Sequence, residues 1–201
     1  MINAPAMPAA PPAPPAPVET RDHYAELIEQ LHGKRGDEAM EHLLMDAQAL
    51  AYRFSLLVCG HPQDAEDAMQ DALLQTYKNA RRIRQPGGFR TWLYRTVKNA
   101  CLMSRRTRVD EPSRLASLDA DDAPEVASAG PDPEAQSAAA AERRRFQAAF
   151  QQLPKPYRLV AFLRDVEGLS TREVAQVVGI TESNAKQRLH RARLMLKEAL
   201  S

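Results

Sequence analysis

Apolar residues recur at helical spacing along most of this chain, and no segment alternates polar and apolar residues as a half-buried strand would. The longest such stretch covers residues 37–59, where apolar side chains return every three or four positions. Further helices are predicted over 21–32, 64–82 and 89–106, and a second helical module runs from about 142 to the end. The pattern therefore predicts an all-α protein.

Two segments lack this periodicity and divide the chain. Residues 1–20 consist largely of Pro and Ala, and because proline blocks helix formation, a disordered tail is expected here. Residues 107–141 are acidic, rich in Ala and interrupted by Pro, with too few large apolar groups to form a core. We therefore expect two small helical domains, over 21–106 and 142–201, joined by a flexible acidic linker.

The segment 170–193 reads STREVAQVVGITESNAKQRLHRAR and has the local signals of two helices joined by a tight turn. Ser170 and Glu173 have the spacing of a capping box at the start of the first helix. Gly179 is placed to end that helix with a positive φ, and Thr181 can cap the second helix. A short helix, a glycine turn and a second helix rich in basic residues are typical of a DNA-reading helix-turn-helix. The alternative is an ordinary helical hairpin with a solvated basic face.

The formal net charge of +1 hides an uneven distribution of charge. Residues 110–142 contain nine acidic groups and one basic group, whereas residues 81–108 contain nine basic groups and no acidic one. Residues 143–201 hold twelve basic groups against five acidic ones. Two basic blocks separated by an acidic segment indicate two surfaces that bind a polyanion, although basic faces also serve solubility.

The remaining composition narrows the class of protein. Cys59 and Cys101 lie in apolar helical patterns and their spacing fits no metal site, so buried reduced thiols are expected, and a redox-sensing pair is the alternative. No apolar run reaches the length of a membrane span, and the N-terminus lacks the basic start of a secretory signal, so we expect a cytoplasmic location.

No nucleophile–base pair, metal cluster or phosphate-binding glycine loop suggests catalysis. We therefore expect neither enzymatic activity nor a cofactor.

Three segments together are similar to one protein family. Residues 64–79 read DAEDAMQDALLQTYKN, residues 89–99 read FRTWLYRTVKN, and the C-terminal module contains LPKPYRLVAFLRDVEGLSTREVAQVVGI followed by RLHRAR. In this order they resemble the extracytoplasmic-function (ECF) group of bacterial sigma factors, over about residues 37–106 and 143–199. The resemblance covers neither the Pro/Ala tail nor the linker.

The resemblance implies a promoter-specificity subunit rather than an enzyme. Members of this group bind core RNA polymerase, at the clamp of the largest subunit and the flap of the second, and direct it to promoter DNA. Their N-terminal domain reads and melts the −10 element, their C-terminal helix-turn-helix reads the −35 element, and most are held inactive by an anti-sigma factor. Two alternatives stay open: a helix-turn-helix regulator that binds DNA without polymerase, and a decoy that occupies polymerase or an anti-sigma factor without initiating.

The helix predicted from residue 64 places acidic and amide side chains near its N-terminal end, where the helix dipole favours negative charge. Carboxylates can accept paired hydrogen bonds from Arg, and the matching family segment docks on the polymerase clamp. The alternative is a solvated acidic helix end. The candidate core-binding residues are Asp64, Glu66, Asp67, Gln70 and Asp71.

The loop over residues 84–88 and the following helix match the family segment that captures a base flipped out of the −10 element. Backbone containing glycine can approach a base closely, an amide can read a base edge, and basic side chains suit phosphates. Family loops often carry acidic or Ser residues where this chain has Pro86-Gly87-Gly88, and Met103 stands where many members have Asp, which leaves the preferred base open. Trp92 is expected to pack between helices. The candidates for −10 DNA are Arg84, Gln85, Gly87, Gly88, Phe89, Arg90, Arg95, Lys98, Asn99, Arg105 and Arg106.

The second helix of the predicted helix-turn-helix carries side chains at i, i+1, i+4 and i+5 spacing that face one side. In the major groove Arg and Lys suit guanine, and Gln suits adenine. Other basic residues in and before this helix are expected to contact phosphates, and His190 is equally compatible with a neutral surface position. The candidates for −35 DNA are Arg172, Thr181, Ser183, Lys186, Gln187, Arg188, His190, Arg191 and Arg193.

Overall fold

The computed structural model describes residues 19–31, 33, 36–108 and 138–201, and every regular element in these ranges is helical. The N-terminal helices are α1 (Glu19–Gln30), α2 (Gly36–Cys59), α3 (Pro62–Asn79) and α4 (Phe89–Arg108). The C-terminal helices are α5 (Ala138–Gln152), α6 (Lys155–Ala161), α7 (Thr171–Val178) and α8 (Glu182–Leu200). The all-α prediction is confirmed. The predicted Pro/Ala tail, apart from the first residues of α1, and most of the predicted linker lie outside the described residues.

Short irregular turns connect several of these helices. Two 3₁₀ turns, at Ala80–Arg82 and Pro86–Gly88, join α3 to α4, and a π-helical turn over Phe162–Val166 follows α6. Pro86 sets the start of the second 3₁₀ turn, because its ring fixes φ in the helical range and it has no N–H to satisfy. The loop before α4 is therefore held by its own backbone.

The N-terminal helices pack around α2. Its apolar stripe, which includes Leu43, Ala47 and Phe54, is fully buried. The facing side of α3 presents alanines such as Ala65 and Ala72, and because these side chains are small, the two helices approach closely. Helix α4 completes the bundle, and α1 lies across α2 and the start of α4.

The helix-turn-helix forms as its local signals predict. The Ser170 hydroxyl accepts a hydrogen bond from the Glu173 N–H at 3.3 Å, and the Glu173 carboxylate accepts one from the Ser170 N–H at 2.8 Å. Gly179 ends α7 with φ of +83°. The Thr181 hydroxyl accepts from the Asn184 N–H at 3.2 Å and so caps α8. Both helix starts and the turn are confirmed.

The two halves of the chain share one hydrophobic core. Phe54 of α2 packs edge-on against Tyr94 of α4, with ring centroids 4.8 Å apart, and stacks on Phe162 of the C-terminal half at 6.1 Å. Leu159 and Val174, from α6 and α7, are buried in the same cluster. A smaller cluster among α5, α6 and α8 closes the far end of the C-terminal half. Helices α6 and α7 therefore pack directly on the N-terminal bundle.

The expectation of two reduced thiols is wrong. Cys59 at the end of α2 and Cys101 in α4 form a disulfide, with their Cα atoms 5.5 Å apart. The reason is tertiary: α2 and α4 lie side by side, so two cysteines that are 42 residues apart in sequence face each other inside the bundle.

Replacing Ser170 by Ala should lower the free energy of unfolding by about 1 kcal/mol, because α7 loses its N-cap. Urea denaturation followed by circular dichroism measures the change. Ser183→Ala is the matched control: Ser183 is an exposed residue in the first turn of α8, and its loss should change stability by less than about 0.5 kcal/mol. Equal effects of the two substitutions would contradict the capping role.

Candidate nucleic-acid interface

An open cavity of about 1020 Å³ lies between the end of α3, the loop that follows it, and α4. Its lining includes the loop residues Arg84 and Gln85 and, from α4, the exposed side chains of Arg95 and Asn99. Three guanidinium groups and four amides line one concave space in all, together with the carboxylate of Asp71 on α3. Such a set can hold phosphate and read a base edge at the same time.

The glycines of the loop leave its backbone accessible. A Cβ atom added at Gly87 or Gly88 would meet no atom within 4 Å. These glycines are therefore not needed for packing against this chain, and the backbone is open to a planar group approaching from outside.

Trp92 connects the cavity to the core. Its ring lies 6.2 Å from that of Phe89 and packs against the buried cluster, while its remaining surface lines the cavity. Met103, at the other end of the cavity, is largely exposed. The cavity therefore has an indole edge and a thioether as apolar walls, and the indole is positioned by the core rather than by a ligand.

Three of the sequence-predicted −10 candidates are buried in this structure. Phe89 is fully buried and packs on Tyr24 of α1 with ring centroids 5.4 Å apart, so it supports the loop from inside and does not reach the surface. Arg90 and Lys98 are 7% and 9% exposed. The reason is the helical phase of α4, which turns these side chains toward α1 or toward the C-terminal half. Arg105 and Arg106 lie in the last turns of α4, and their side chains are not among those that the structure describes.

Arg90 is held by a buried carboxylate from the other half of the chain. Its Nη2 donates to Glu167 Oε2 at 2.6 Å and to the Glu167 backbone carbonyl at 2.9 Å. The Tyr94 hydroxyl donates to the same carboxylate oxygen at 2.5 Å, and Arg53 lies 3.7 Å from the other one. Burial raises the pKa of the Tyr94 hydroxyl well above its usual range, and the charge of Glu167 raises it further. Tyr94 is therefore a permanent donor to this carboxylate at neutral pH.

Lys98 is held by the end of α7. Its Nζ donates to the Val178 carbonyl at 3.3 Å, beside the Gly179 turn of the helix-turn-helix. Burial lowers the pKa of the Lys98 ammonium, and the positive charge of Arg95 lowers it further. The charged form of Lys98 is thus less favourable here than it would be in water.

The five residues predicted for polymerase contact, four acids and one amide, lie on the outer side of α3. Four of them are exposed and Asp64 is half-buried. Sequence reasoning missed two apolar neighbours that continue this surface, Leu74 and Tyr77, which are 49% and 60% exposed. Their spacing from Asp67 and Gln70 was the available signal, since residues three and four apart share a helix face.

Helix α8, the predicted recognition helix, has its predicted base-reading face exposed. Lys186, Gln187, His190 and Arg191 are exposed, whereas Ala185 and its apolar partners form the buried stripe. Lys186 makes an exposed ion pair with Glu182 at 3.3 Å, and such a pair is weak in water. The side chains on this face are therefore available to a DNA groove.

The basic residues expected at phosphates differ in how firmly they are held. Arg193 makes two hydrogen bonds to the Asp165 carboxylate, at 2.5 and 3.1 Å. Arg188 is half-buried and donates to Asn184 Oδ1 at 2.9 Å. Arg172, Thr181 and Ser183 are exposed at the starts of α7 and α8.

Within the described ranges, none of the helices is long and apolar enough to cross a membrane. In the same part of the chain, no three His, Cys, Asp or Glu side chains are grouped as a metal site would require.

Comparisons with known proteins identify both halves of the chain. Residues 40–110 match the family described as Sigma-70 region 2, and residues 143–196 match Sigma-70, region 4. The ECF RNA polymerase sigma factor SigL of Mycobacterium tuberculosis is 31% identical over 173 residues, which cover 81% of this chain and 94% of the relative. The ECF RNA polymerase sigma factor SigE of Mycolicibacterium smegmatis is 30% identical over 172 residues, but the match spans only 65% of that relative's length.

Solved structures show the same fold. The sigma factor RpoE of Bartonella quintana, in complex with the anti-sigma factor NepR, matches 80% of this chain and 95% of its own length, with a TM-score of 0.60 at 21% identity. The structure of CnrH with the cytosolic domain of CnrY matches 90% of this chain and 96% of its own length, with a TM-score of 0.51 at 21% identity.

Replacing Lys186 by Ala should weaken binding of the protein to duplex DNA and reduce the dependence of log K on log salt by about one. The reason is that one phosphate or base contact on the exposed face of α8 is lost. Fluorescence anisotropy with a labelled duplex at several salt concentrations measures both quantities. Lys197→Ala, an equal loss of charge near the far end of the same helix, is the control and should change neither. If Lys197→Ala had the larger effect, the assignment of the DNA face would be wrong.

Proposed function

The chain belongs to the ECF group of the sigma-70 family, and we propose which of its surfaces contacts each partner in promoter-specific transcription initiation. The proposal assigns core polymerase to the outer face of α3, the −10 element to the cavity beside α4, and the −35 element to α8. The observation that carries it is that both sigma regions occur in one chain in family order, and each has an exposed polar surface suited to its task. The protein in this role has no enzymatic activity of its own and works in the cytoplasm, where polymerase is.

The outer face of α3 suits a basic partner surface on core polymerase. Exposed carboxylates near the start of the helix can accept bidentate hydrogen bonds from Arg, and the exposed Leu74 and Tyr77 extend the face with apolar area. A mixed surface of this kind combines electrostatic steering with a hydrophobic contact. We propose the clamp of the largest subunit as its partner, while the C-terminal half meets the flap of the second.

The cavity beside α4 suits a single base removed from the duplex. Flipping a base costs a few kcal/mol, which stacking and contacts to the base edge must offset. The indole of Trp92 supplies an apolar wall, and the amide of Asn99 can both donate to and accept from a base edge. Arg95 and Arg84 line the same opening, and we propose that they contact the flanking phosphates.

The helix-turn-helix suits the major groove of the −35 element. Thr181 caps α8 by accepting from the Asn184 N–H. The other N–H groups of the first turn and the positive end of the helix dipole suit a phosphate. Lys186, Gln187 and Arg191 stand on one exposed face within about three turns of that end. Recognition helices use this geometry, in which side chains of the first turns contact base edges.

We also propose that an anti-sigma factor binds this chain, since both structural relatives above were solved with partner proteins of their own. A regulator that binds DNA without polymerase is a weaker alternative, because it leaves the acidic and apolar face of α3 without a partner. A decoy without promoter activity is also weaker, because the base-reading face of α8 is exposed.

Run-off transcription with purified core polymerase on a genomic fragment library tests the function directly. We expect start sites that appear only with this protein and share −35 and −10 motifs.

Glu66→Gln with Asp67→Asn should lower the affinity for core at least tenfold, since an interface charge contact with Arg is lost at each position. Both carboxylates are exposed, and neither lines the cavity beside α4. The matched control, Glu38→Gln with Glu41→Gln, neutralises two exposed carboxylates of α2 and should leave core affinity unchanged. Equal losses in both variants would mean that overall charge, not the α3 face, governs docking.

Asn99→Ala should reduce open-complex formation by the polymerase complex by about tenfold, while binding to core is retained. The amide contact to the flipped base would be lost, and one such contact discriminates by about 1–3 kcal/mol. Permanganate reactivity of −10 thymines measures melting. Gln48→Ala, an exposed amide on α2, is the control and should melt promoters like the wild type. Normal melting and unchanged −10 base preference in Asn99→Ala would remove this residue from the site.

A further inference from the structure

The disulfide between Cys59 and Cys101 lies in a protein that is proposed to work in the cytoplasm. Both cysteines are 2% exposed, and the bond joins the last residue of α2 to the interior of α4. The cytoplasm keeps thiols reduced, and the disulfides that form there are usually transient and serve catalysis or redox sensing. A pair of cysteines that the fold brings together in such a compartment is therefore a candidate for reversible oxidation.

Both sulfurs are also placed to exist as thiols. Cys59 Sγ lies 3.5 Å from the carbonyl oxygen of Asp64, in the first turn of α3, and Cys101 Sγ lies 4.0 Å from the carbonyl oxygen of Ser55 on α2. A sulfur within a disulfide has no hydrogen to donate, whereas a thiol is a weak donor and a carbonyl oxygen has two lone pairs. Each sulfur therefore has an acceptor nearby that only the reduced form can use.

The end of α2 gives an external reagent access to one of the two sulfurs. Cys59 is the last residue of this helix, Gly60 after it has a φ of +80°, and His61 is exposed. Helix ends fray and open at a lower free energy than helix interiors. Cys101, in contrast, lies several turns inside α4. Cys59 is therefore the sulfur that a reagent reaches first.

The bond connects the elements that carry two proposed binding surfaces. After Cys59 the chain turns into α3, which bears the face proposed for core polymerase, and α3 and α4 together line the cavity beside α4. On α4, the amide of Asn99, proposed to read the flipped base, is two residues before Cys101. The bond therefore ties the corner between α2 and α3 to the helix that carries the base-reading amide.

Forming this bond restricts motion on both sides of the cavity. The two cysteines are 42 positions apart, so the closed loop contains all of α3 and the loop before α4. A cross-link of this length removes many conformations from the unfolded chain. It also limits how far α2 and α4 can move past each other, and a site that is already held in its bound geometry pays less ordering entropy when it binds. The oxidised form therefore has the better ordered cavity.

We propose that Cys59 and Cys101 form a reversible redox site, and that its oxidation to the disulfide orders the cavity beside α4 and increases promoter melting. The reduced form keeps the fold and the core-binding face of α3 but melts promoters less well. This effect on melting rests on the proposed function of α4 in −10 binding.

The oxidant in this proposal is a peroxide. The Cys59 thiolate attacks one peroxide oxygen, the O–O bond breaks, and a sulfenic acid forms while hydroxide leaves and takes up the thiol proton as water. The Cys101 thiol then attacks that sulfur, so that the S–S bond forms, the S–O bond breaks and a second water leaves. Two thiols have then lost two electrons and two protons, and hydrogen peroxide has become two waters. A dithiol reverses the reaction by exchange through a mixed disulfide and is itself oxidised to a disulfide.

Counting alkylated thiols in the full-length protein tests the redox site itself. The chain has two cysteines, so denatured protein should take two labels after dithiothreitol and none after a later treatment with hydrogen peroxide. We expect the cycle to be repeatable, and oxidation to raise the Tm by about 5–15 °C. Reduced protein that peroxide does not convert to the disulfide, or a Tm that is the same in both forms, would overturn the proposal.

Permanganate reactivity of −10 thymines tests the effect on melting. Oxidised and reduced protein, freed of reagent, are each bound to core polymerase on one promoter. We expect the oxidised form to melt about three to ten times more promoter, because the ordering of the cavity has been completed beforehand. Affinity for core should be equal in the two forms. Equal melting would mean that the bond has only a structural role, and the proposed regulation would be wrong.

The double variant Cys59→Ala with Cys101→Ala is the control for effects of the reagents on polymerase. It should melt promoters like the reduced wild type, whether or not peroxide was added. A response to peroxide in this variant equal to that of the wild type would place the effect elsewhere and contradict the proposal. If the variant loses helix content in circular dichroism, the comparison of oxidised and reduced wild type decides alone.

Failure of the redox site and failure of the proposed function give different results. If run-off transcription fails with every form of the protein, the sigma role is wrong, and the effect on melting is lost with it. The label counts and the Tm are measured on the free protein and still decide whether the two cysteines form a reversible pair.

Discussion

One buried carboxylate determines how the two halves of this protein meet. Glu167 is 4% exposed, and a charge removed from water must find hydrogen-bond donors or it disfavours the folded arrangement. Arg90 and Tyr94, one helical turn apart on α4, provide them from a single place on the N-terminal bundle. The apolar contacts around this point, such as Phe54 with Phe162, would tolerate small rotations of one half against the other. The hydrogen bonds to the Glu167 carboxylate would not tolerate such rotations, because their donors have fixed directions.

Elements that depend on neighbouring residues could be predicted from the sequence. The helix-turn-helix is the clearest case. Its N-caps, at Ser170 with Glu173 and at Thr181, and its turn at Gly179 each depend on residues only a few positions apart. The helices of the N-terminal half also followed from periodicity to within a few residues at their ends. The exposed face of α8 could be predicted as well, because the phase of a helix fixes which residues share a side.

Features that depend on distant partners could not be predicted. Arg90 and Glu167 are 77 residues apart and Lys98 and Val178 are 80 apart, with the linker between them. In the sequence, Arg90 is indistinguishable from an exposed basic residue such as Arg95. The disulfide was missed for the same reason, since helical patterns show that Cys59 and Cys101 are buried but not that they face each other. Glu167 carried no signal of its own either, because it follows Arg164 and Asp165 in the segment FLRDVEGL and looks like another surface acid.

The arrangement treats the two DNA surfaces unequally, and this has a consequence for the order of binding. Closure supplies acceptors from the chain itself to Arg90 and Lys98, so these cations are not left unpaired when DNA is absent. The same closure leaves Lys186 and Arg191 exposed on α8. Duplex DNA can therefore be contacted through α8 while the halves are still together. Phosphate contacts by Arg90 and Lys98, which the sequence predicts for the −10 strand, would need the halves apart, because these cations must first exchange a carboxylate and a carbonyl for phosphates.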